Sequence, residues 1–345
     1  MKHRYLLLFL ALLAPGCIER FDAPIRNVRP RLVVEGSLTN EPPPYVVKLS
    51  LTSGFGAAFW GTSTVLVGAR VQVRNDLGAQ AEFFPELRQP GTYTTRDLGF
   101  VGTPGRTYTL TVVLPDGRTY ASAPQRLQAA PAIDSIYAQP NNLGRRSAGG
   151  TVRFGFDVYL DTQDPSEGAN YYRWSAYSYV FKQTRLTPCT TFSSQLCRFG
   201  YFCYQPDPEV RLLSDDGLNG RRLRQQLVHF SPVLAPGQNF VEVRQYSISR
   251  EQFRFWQRYR DQVTRTGSIF DPIPSTIEGN VANTADPTDL ALGYFEVAGV
   301  ARRRLRIQAN SAPQAANWFA SYGDQYYSDP CPDGGQGSSV PPSGW

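Results

Sequence analysis

"TYTLTVVLPDGR" (residues 107–118) decides the fold class. Tyr108, Leu110, Val112 and Leu114 fall on one side of an extended chain and Thr107, Thr109 and Thr111 on the other, the period of a half-buried β-strand. Asp116 and Gly117 then supply the residue pair that takes a type I′ hairpin turn. The same alternation recurs upstream. "YVVKLSLT" (45–52) sends Tyr45, Val47, Leu49 and Leu51 one way, and "GARVQVRND" (68–76) turns Ala69, Val71 and Val73 inward with Arg70, Gln72 and Arg74 outward. "NDLG" (75–78) and "QPG" (89–91) are further turn signals. About seven such strands in roughly 100 residues fit an immunoglobulin-like β-sandwich over residues 31–130. The Cys…Trp…Cys core of an antibody-type domain is absent from this segment.

The remainder extends the mainly β class. "QAAPAID" (128–134) reads as a junction, followed by a second β-rich, sandwich-like domain over residues 131–310 with strand candidates "TVRFGFDVYL" (151–160), "NYYRWSAYSYVF" (170–181) and "NFVEVRQYSI" (239–248). One amphipathic helix is expected at about 249–266. Ser249 and Gln252 make a capping box, Ile248 a hydrophobic staple, Phe253, Trp256 and Val263 an apolar stripe, and Gly267 a C-cap. Residues 311–345 are aromatic without periodicity and are expected to form an irregular tail packed on the second domain. The 30 Gly and 27 Pro favour turns over long helices.

The chain carries a net charge of +6, which falls to +4 without Lys2 and Arg4. That excess is too small for a nucleic-acid-binding surface. "RRLR" (221–224) and "RRRLR" (302–306) read first as solvated strand faces, with an anion site as the alternative.

Lys2 and Arg4 precede an apolar run, Tyr5 to Leu13, too short to span a bilayer and therefore read as a signal peptide over residues 1–16. Cys17 stands where that run ends. The segment resembles a bacterial lipobox, although Ala14 occupies the position usual for leucine and Pro15 is atypical. The expectation is a lipidated Cys17 on a tether over residues 17–30; the alternative is cleavage near Gly16 with a free thiol. Several acyl chains, at about 0.8 kcal/mol per buried CH₂, make such an anchor essentially permanent.

With Cys17 acylated, Cys189, Cys197, Cys203 and Cys331 remain, an even number in an exported chain, which argues for two disulfides. All three connectivities tie Cys331 to the 189–203 loop, and none is preferred. Zinc is disfavoured: no CxxC pair exists, and His229 is the one histidine outside the signal. No metal and no cofactor is expected. Catalytic motifs are also lacking. His229 is read as a satisfied histidine rather than a general base, and Asp157, Asp161, Asp164 and Glu167 as a polar inter-strand loop rather than a Ca²⁺ loop. In "NYYRWSAYSY" (170–179), Tyr171, Arg173, Tyr177 and Tyr179 share one face and Tyr172 and Trp174 the other. A strand buried on both sides is the plain reading; a ligand or partner contact through Tyr171, Trp174, Tyr177 and Tyr179 is the functional one.

A set of longer matches adds to this. "LVVEGSLT" (32–39), "GARVQVRND" (68–76), "GRTYTLTV" (105–112), "PAIDSIY" (131–137), "NYYRW" (170–174), "GSIFDPIPSTIEGNV" (267–281) and "LGYFEVAGV" (292–300) together resemble the outer-membrane lipoproteins grouped as domain of unknown function 4249 in Bacteroidota. The resemblance implies an outer-membrane, lipid-anchored, mostly β protein with an accessory or substrate-capture role beside a TonB-dependent receptor; the lack of catalytic motifs adds the expectation that it is not an enzyme. The resemblance implies no catalytic or binding residues. A stand-alone carbohydrate- or peptide-binding module is the alternative, and a carboxylate-based hydrolase a more distant one.

Overall fold

The computed structural model describes residues 30–52, 64–146, 150, 152–183, 187–190, 194–197, 200–234, 237–264, 276–322, 331 and 337–341. The segment up to residue 29, with the signal peptide, Cys17 and nearly all of the tether, therefore lies outside the described residues.

The alternating sequences form β1 (Leu32–Thr39), β2 (Val46–Leu51), β3 (Thr64–Val65), β4 (Arg70–Asn75), β5 (Gln80–Pro85), β6 (Thr92–Thr95), β7 (Thr107–Val113), β8 (Thr119–Ser122) and β9 (Gln125–Arg126). Then come β10 (Ile133–Arg146), β11 (Val152–Gln163), β12 (Tyr171–Gln183), β13 (Thr187–Pro188), β14 (Leu196–Cys197), β15 (Gly200–Pro206), β16 (Arg211–Ser214), β17 (Arg222–Pro232) and β18 (Gln238–Ile248). Helix α1 (Arg250–Val263) follows, then β19 (Glu278–Asn283), the 19-residue β20 (Leu290–Gln308), helix α2 (Ala315–Tyr322) and β21 (Gly337–Ser338).

Nine strands close into a barrel in the order β1-β2-β6-β5-β4-β7-β8-β19-β20, with β20 paired back to β1. Eight of the nine pairings are antiparallel and the closing one is parallel, Val33 opposite Leu292 through Thr39 opposite Ala298. The arithmetic of direction requires this: a ring with an odd number of strands cannot alternate throughout, so one pair must run parallel. The interior is filled by the inward residues of the period-two pattern, among them Val34, Leu49, Val71, Val73, Tyr108, Leu110, Val112, Phe295 and Val297.

This corrects the expected immunoglobulin-like sandwich. Up to residue 122 the chain supplies seven of the nine strands, and the gap between β8 and β1 is filled by β19 and β20. The junction near residue 130 therefore divides the chain but not the sheet. Closure leaves neither β1 nor β8 as a free edge, which removes the pairing hazard an open sheet would carry.

Past the barrel, β20 continues into a second body. Its residues Gly299 to Gln308 pair antiparallel with β18, and the sheet runs on through β12 to β15 and β21, with β16 beside the first part of β12. A separate sheet, β10-β11-β17, packs against it. Tyr172, Trp174 and Ala176 of β12 and Val241 and Val243 of β18 meet Phe156, Val158 and Leu160 of β11 in the core between them. The two sheets thus face one another across a shared core. The tail is not wholly irregular: α2 contributes Ala315 and the buried Trp318, whose indole stacks on Phe154 and meets Phe156 edge-on. The good helix former alanine opens that segment, a signal that its aromatic density masked.

The cysteines pair as Cys189–Cys197 and Cys203–Cys331. The second bridge spans 128 positions and holds the tail against β15, where β21 also pairs. In the chain-entropy account a loop of that length restricts the unfolded state by about 4–5 kcal/mol.

Two glycines sit at the barrel seam. Gly293 has φ +77°, and a Cβ there would collide with the Val34 carbonyl oxygen; one on Gly279 would collide with the carbonyl oxygen of Gly293. Only glycine lets β19, β20 and β1 approach this closely. Gly293→Ala is expected to destabilise the protein by at least about 1–3 kcal/mol from backbone strain alone, read as a lower denaturant midpoint; an unchanged midpoint would show that the seam can spread at no cost.

Candidate functional site

The strongest feature outside the two cores is an open cleft of about 1000 Å³ between the outer face of β1 and β2 and helix α1. Strand periodicity makes its floor: with Val34, Leu38, Val47 and Leu49 inside the barrel, Glu35, Ser37, Val46 and Lys48 face outward into it. The helix makes its wall. The capping box forms as read, with Gln252 N–H donating to the Ser249 hydroxyl at 3.2 Å and the Ser249 N–H to Gln252 Oε1 at 2.8 Å. Ile248 is fully buried beside it. The helix ends at Val263 with Thr264 as its C-cap; Gly267 lies outside the described residues. Phe253 packs on Tyr171 with ring centroids 5.1 Å apart, while Phe255, Trp256 and Tyr259 line the cleft. Val263, expected in the apolar stripe, is 55% exposed, so only the first half of the helix is packed down.

At the back of the cleft a buried ion pair fixes the helix. Glu296 accepts from Arg173 Nη2 at 2.6 Å and from the Trp256 indole N–H at 2.7 Å. The Arg173 guanidinium lies 4.0 Å from the centroid of Tyr246 and 4.6 Å from that of Trp256, a cation between two aromatic faces. Burial alone would lower the pKa of Arg173, but the Glu296 carboxylate and the Tyr246 hydroxyl outweigh it and leave it raised. The neighbouring Tyr294 hydroxyl is also pushed up, first by burial and then by the Glu251 carboxylate. At the mouth, Glu41 stands 3.5 Å from both Arg244 and Arg302. Glu242 takes Arg244 Nε at 3.0 Å and Arg304 Nε at 2.7 Å.

The sequence-nominated contact residues divide between environments. Trp174 is 4% exposed, and its indole donates to Gln245 Oε1 at 3.0 Å, so it is a core residue. Tyr171 is buried under α1. Tyr177 and Tyr179 remain half-buried on the outer sheet face, where Tyr204 joins them with ring centroids 5.4–5.6 Å apart. The Arg173–Glu296 lock has one signal in the sequence, a glutamate inside the apolar run "LGYFEVAGV", since a buried carboxylate needs a cation.

The acidic stretch around residues 157–167 does not converge. Asp157 pairs with Arg145 at 2.8 Å, Asp161 accepts from the Gln225 N–H, and the buried Asp164 takes the Tyr172 hydroxyl and the Gly220 N–H. No group of three or more potential metal ligands occurs among the described residues. His229 is satisfied, as expected from the sequence: Nδ1 lies 2.9 Å from Asp207 Oδ2 and Nε2 2.5 Å from Ser178 Oγ. The order Ser-His-Asp has the connectivity of a hydrolytic triad. Ser178, however, is fully buried and spends its hydroxyl on Ser231 as well, and the 160 Å³ pocket that reaches His229 does not include it.

The profile of a family described as "Domain of unknown function (DUF4249)" matches residues 18–304. The chain belongs to this family. No curated protein matches it. In this DUF4249 chain the matched span takes in the complete barrel, α1 and both members of the Arg173–Glu296 pair. No helix among the described residues is long and apolar enough to cross a membrane.

Removing Glu296 would strand a buried guanidinium, and Glu296→Ala is expected to cost about 3–5 kcal/mol; Glu296→Gln, which keeps an acceptor for Trp256, should cost less. Chemical denaturation of both variants measures the difference, and equal costs would mean that charge is not what matters. Asp207 gives a pH test. Burial would raise its pKa, but the hydrogen bond with His229 and the Arg211 charge bring it below the ordinary aspartate range. Its contribution is then complete above the unfolded value and is lost as pH falls through the lower folded one. Asp207→Asn is expected to melt lower at neutral pH and to lose less on acidification; parallel melting curves against pH would refute this.

Proposed function

We propose that this protein is a non-enzymatic outer-membrane lipoprotein, anchored through acylated Cys17, that acts as an accessory or substrate-capture subunit beside a TonB-dependent receptor. The observation that carries the capture role is the cleft: about 1000 Å³, walled by Phe255, Trp256 and Tyr259, with charged groups held in fixed geometry at its back. Binding sites of this kind are concave, largely apolar and furnished with a few set polar groups. The enclosed Ser178 supports the non-enzymatic side of the reading. The anchor rests on the lipobox-like segment ending in Cys17, and the receptor on the family resemblance. A stand-alone carbohydrate- or peptide-binding module is the second reading, because the same cleft would serve it without a receptor.

Affinity purification from gently solubilised membranes is expected to recover a β-barrel receptor in near-stoichiometric amount. Recovery of the protein alone would favour the stand-alone module. Cys17→Ala is expected to shift the protein from the membrane to the soluble fraction; retention in membranes lacking the receptor would overturn the anchor.

A further inference from the structure

We infer that the outer face of the β12, β15, β18 and β20 sheet, continuous with the cleft, is a binding track for an extended oligosaccharide carrying carboxylate or sulfate groups. The inference rests on the capture reading and names its ligand class. Register places the track. Arg302 lies opposite Arg244, Arg304 opposite Glu242 and Arg306 opposite Phe240. On the other side of β18, Glu242 lies opposite Tyr177 and Phe240 opposite Tyr179, and Tyr179 lies opposite Tyr204 of β15. The alternate arginines of "RRRLR" therefore share one face with the tyrosine cluster, while Arg303 points away to the carbonyl oxygens of Ile133 and Asp134.

Two kinds of group line the track. Tyr177, Tyr179 and Tyr204 form a half-buried group of rings suited to the apolar faces of sugar rings, with the Tyr177 hydroxyl held by Glu242. Beside them Arg244, Arg302, Arg304 and Arg306 share this face with Glu41 and Glu242. Glu242 holds Arg244 and Arg304 in position, and Arg302 is half exposed at 51%. Planar guanidinium groups take carboxylate or sulfate by paired hydrogen bonds. The six-residue step from Arg173 in the cleft to Tyr179 spans roughly 20 Å, enough for several linked sugars. An extended peptide fits less well. The backbones of β12 and β18 are paired on both sides here, so no strand edge is offered for a peptide to join.

Calorimetry on the mature full-length protein in detergent tests this, with hexagalacturonate, a sulfated chondroitin hexasaccharide, neutral cellohexaose and polyglutamate of similar length as probes. At least one acidic oligosaccharide is expected to bind saturably and about tenfold or more tighter than cellohexaose, and the tighter of the two identifies the acid. Tyr179→Ala with Tyr204→Ala is expected to weaken it by about tenfold. Arg302→Ala, at an exposed position that leaves the fold intact, should weaken it and flatten its salt dependence. Equal affinity for cellohexaose, polyglutamate binding as tightly as the sugars, or no saturable binding at millimolar probe would each overturn the inference. Sugar binding without receptor recovery would refute the accessory role alone, and receptor recovery without sugar binding would refute this inference alone.

Discussion

The parallel pairing of β1 with β20 is the constraint on which the remaining architecture depends. Nine strands around a ring need one parallel neighbour, and parallel neighbours cannot be joined by a tight turn. Here the intervening connection is almost the whole protein: β1 begins at Leu32 and its partner at Leu290. Everything between, including the second body, is in this sense the crossover between two adjacent strands. Because β20 is 19 residues long, its first half completes the barrel and its second half founds the next sheet, with Gly299 at the changeover. The two bodies are continuous in hydrogen bonding as well as in chain.

The same strand sets up the cleft. Glu296 lies on the stretch of β20 that pairs with β1, and it points outward, away from the barrel core, to meet Arg173 of the second body and Trp256 of α1. One carboxylate thus ties three elements from separate parts of the chain. A buried pair of this kind contributes little net stability relative to an apolar contact, yet losing one member is costly. It acts by fixing position: the helix is clamped at its first turns, stands off the barrel beyond them, and leaves the space between as a cleft.

How much of this was legible follows from the range of each interaction. Strand periodicity is local, so the burial of Tyr108, Leu110 and Val112 or of Val71 and Val73 was readable directly. Helix capping is local too, and the Ser249–Gln252 box formed as written. Barrel closure is not local: nothing within residues 31–130 states that β8 and β1 await partners from residues 278–300. The clue was spread over three segments, "LVVEGSLT", "IEGNV" and "LGYFEVAGV", which converge at the seam where Gly279 and Gly293 permit close approach. Face assignments within β12 were correct, but whether Trp174 or Tyr179 met solvent depended on which sheet covered which face, a tertiary fact. Cysteine parity fixed the number of bridges and tied Cys331 to the loop, while the choice of Cys203 as its partner came from the fold.

The seam also decides how the molecule would carry tension. A pull applied between the start of β1 and the second body enters β1 at its N-terminal end and leaves β20 at its C-terminal end. The strands are parallel, so these forces oppose one another along the strand axis, and the rungs from Val33–Leu292 to Thr39–Ala298 share the load at once in shear. An antiparallel closure would have placed both ends together and let the rungs open one at a time. Loaded in this way, the two strands would resist as a lap joint does, along their whole overlap.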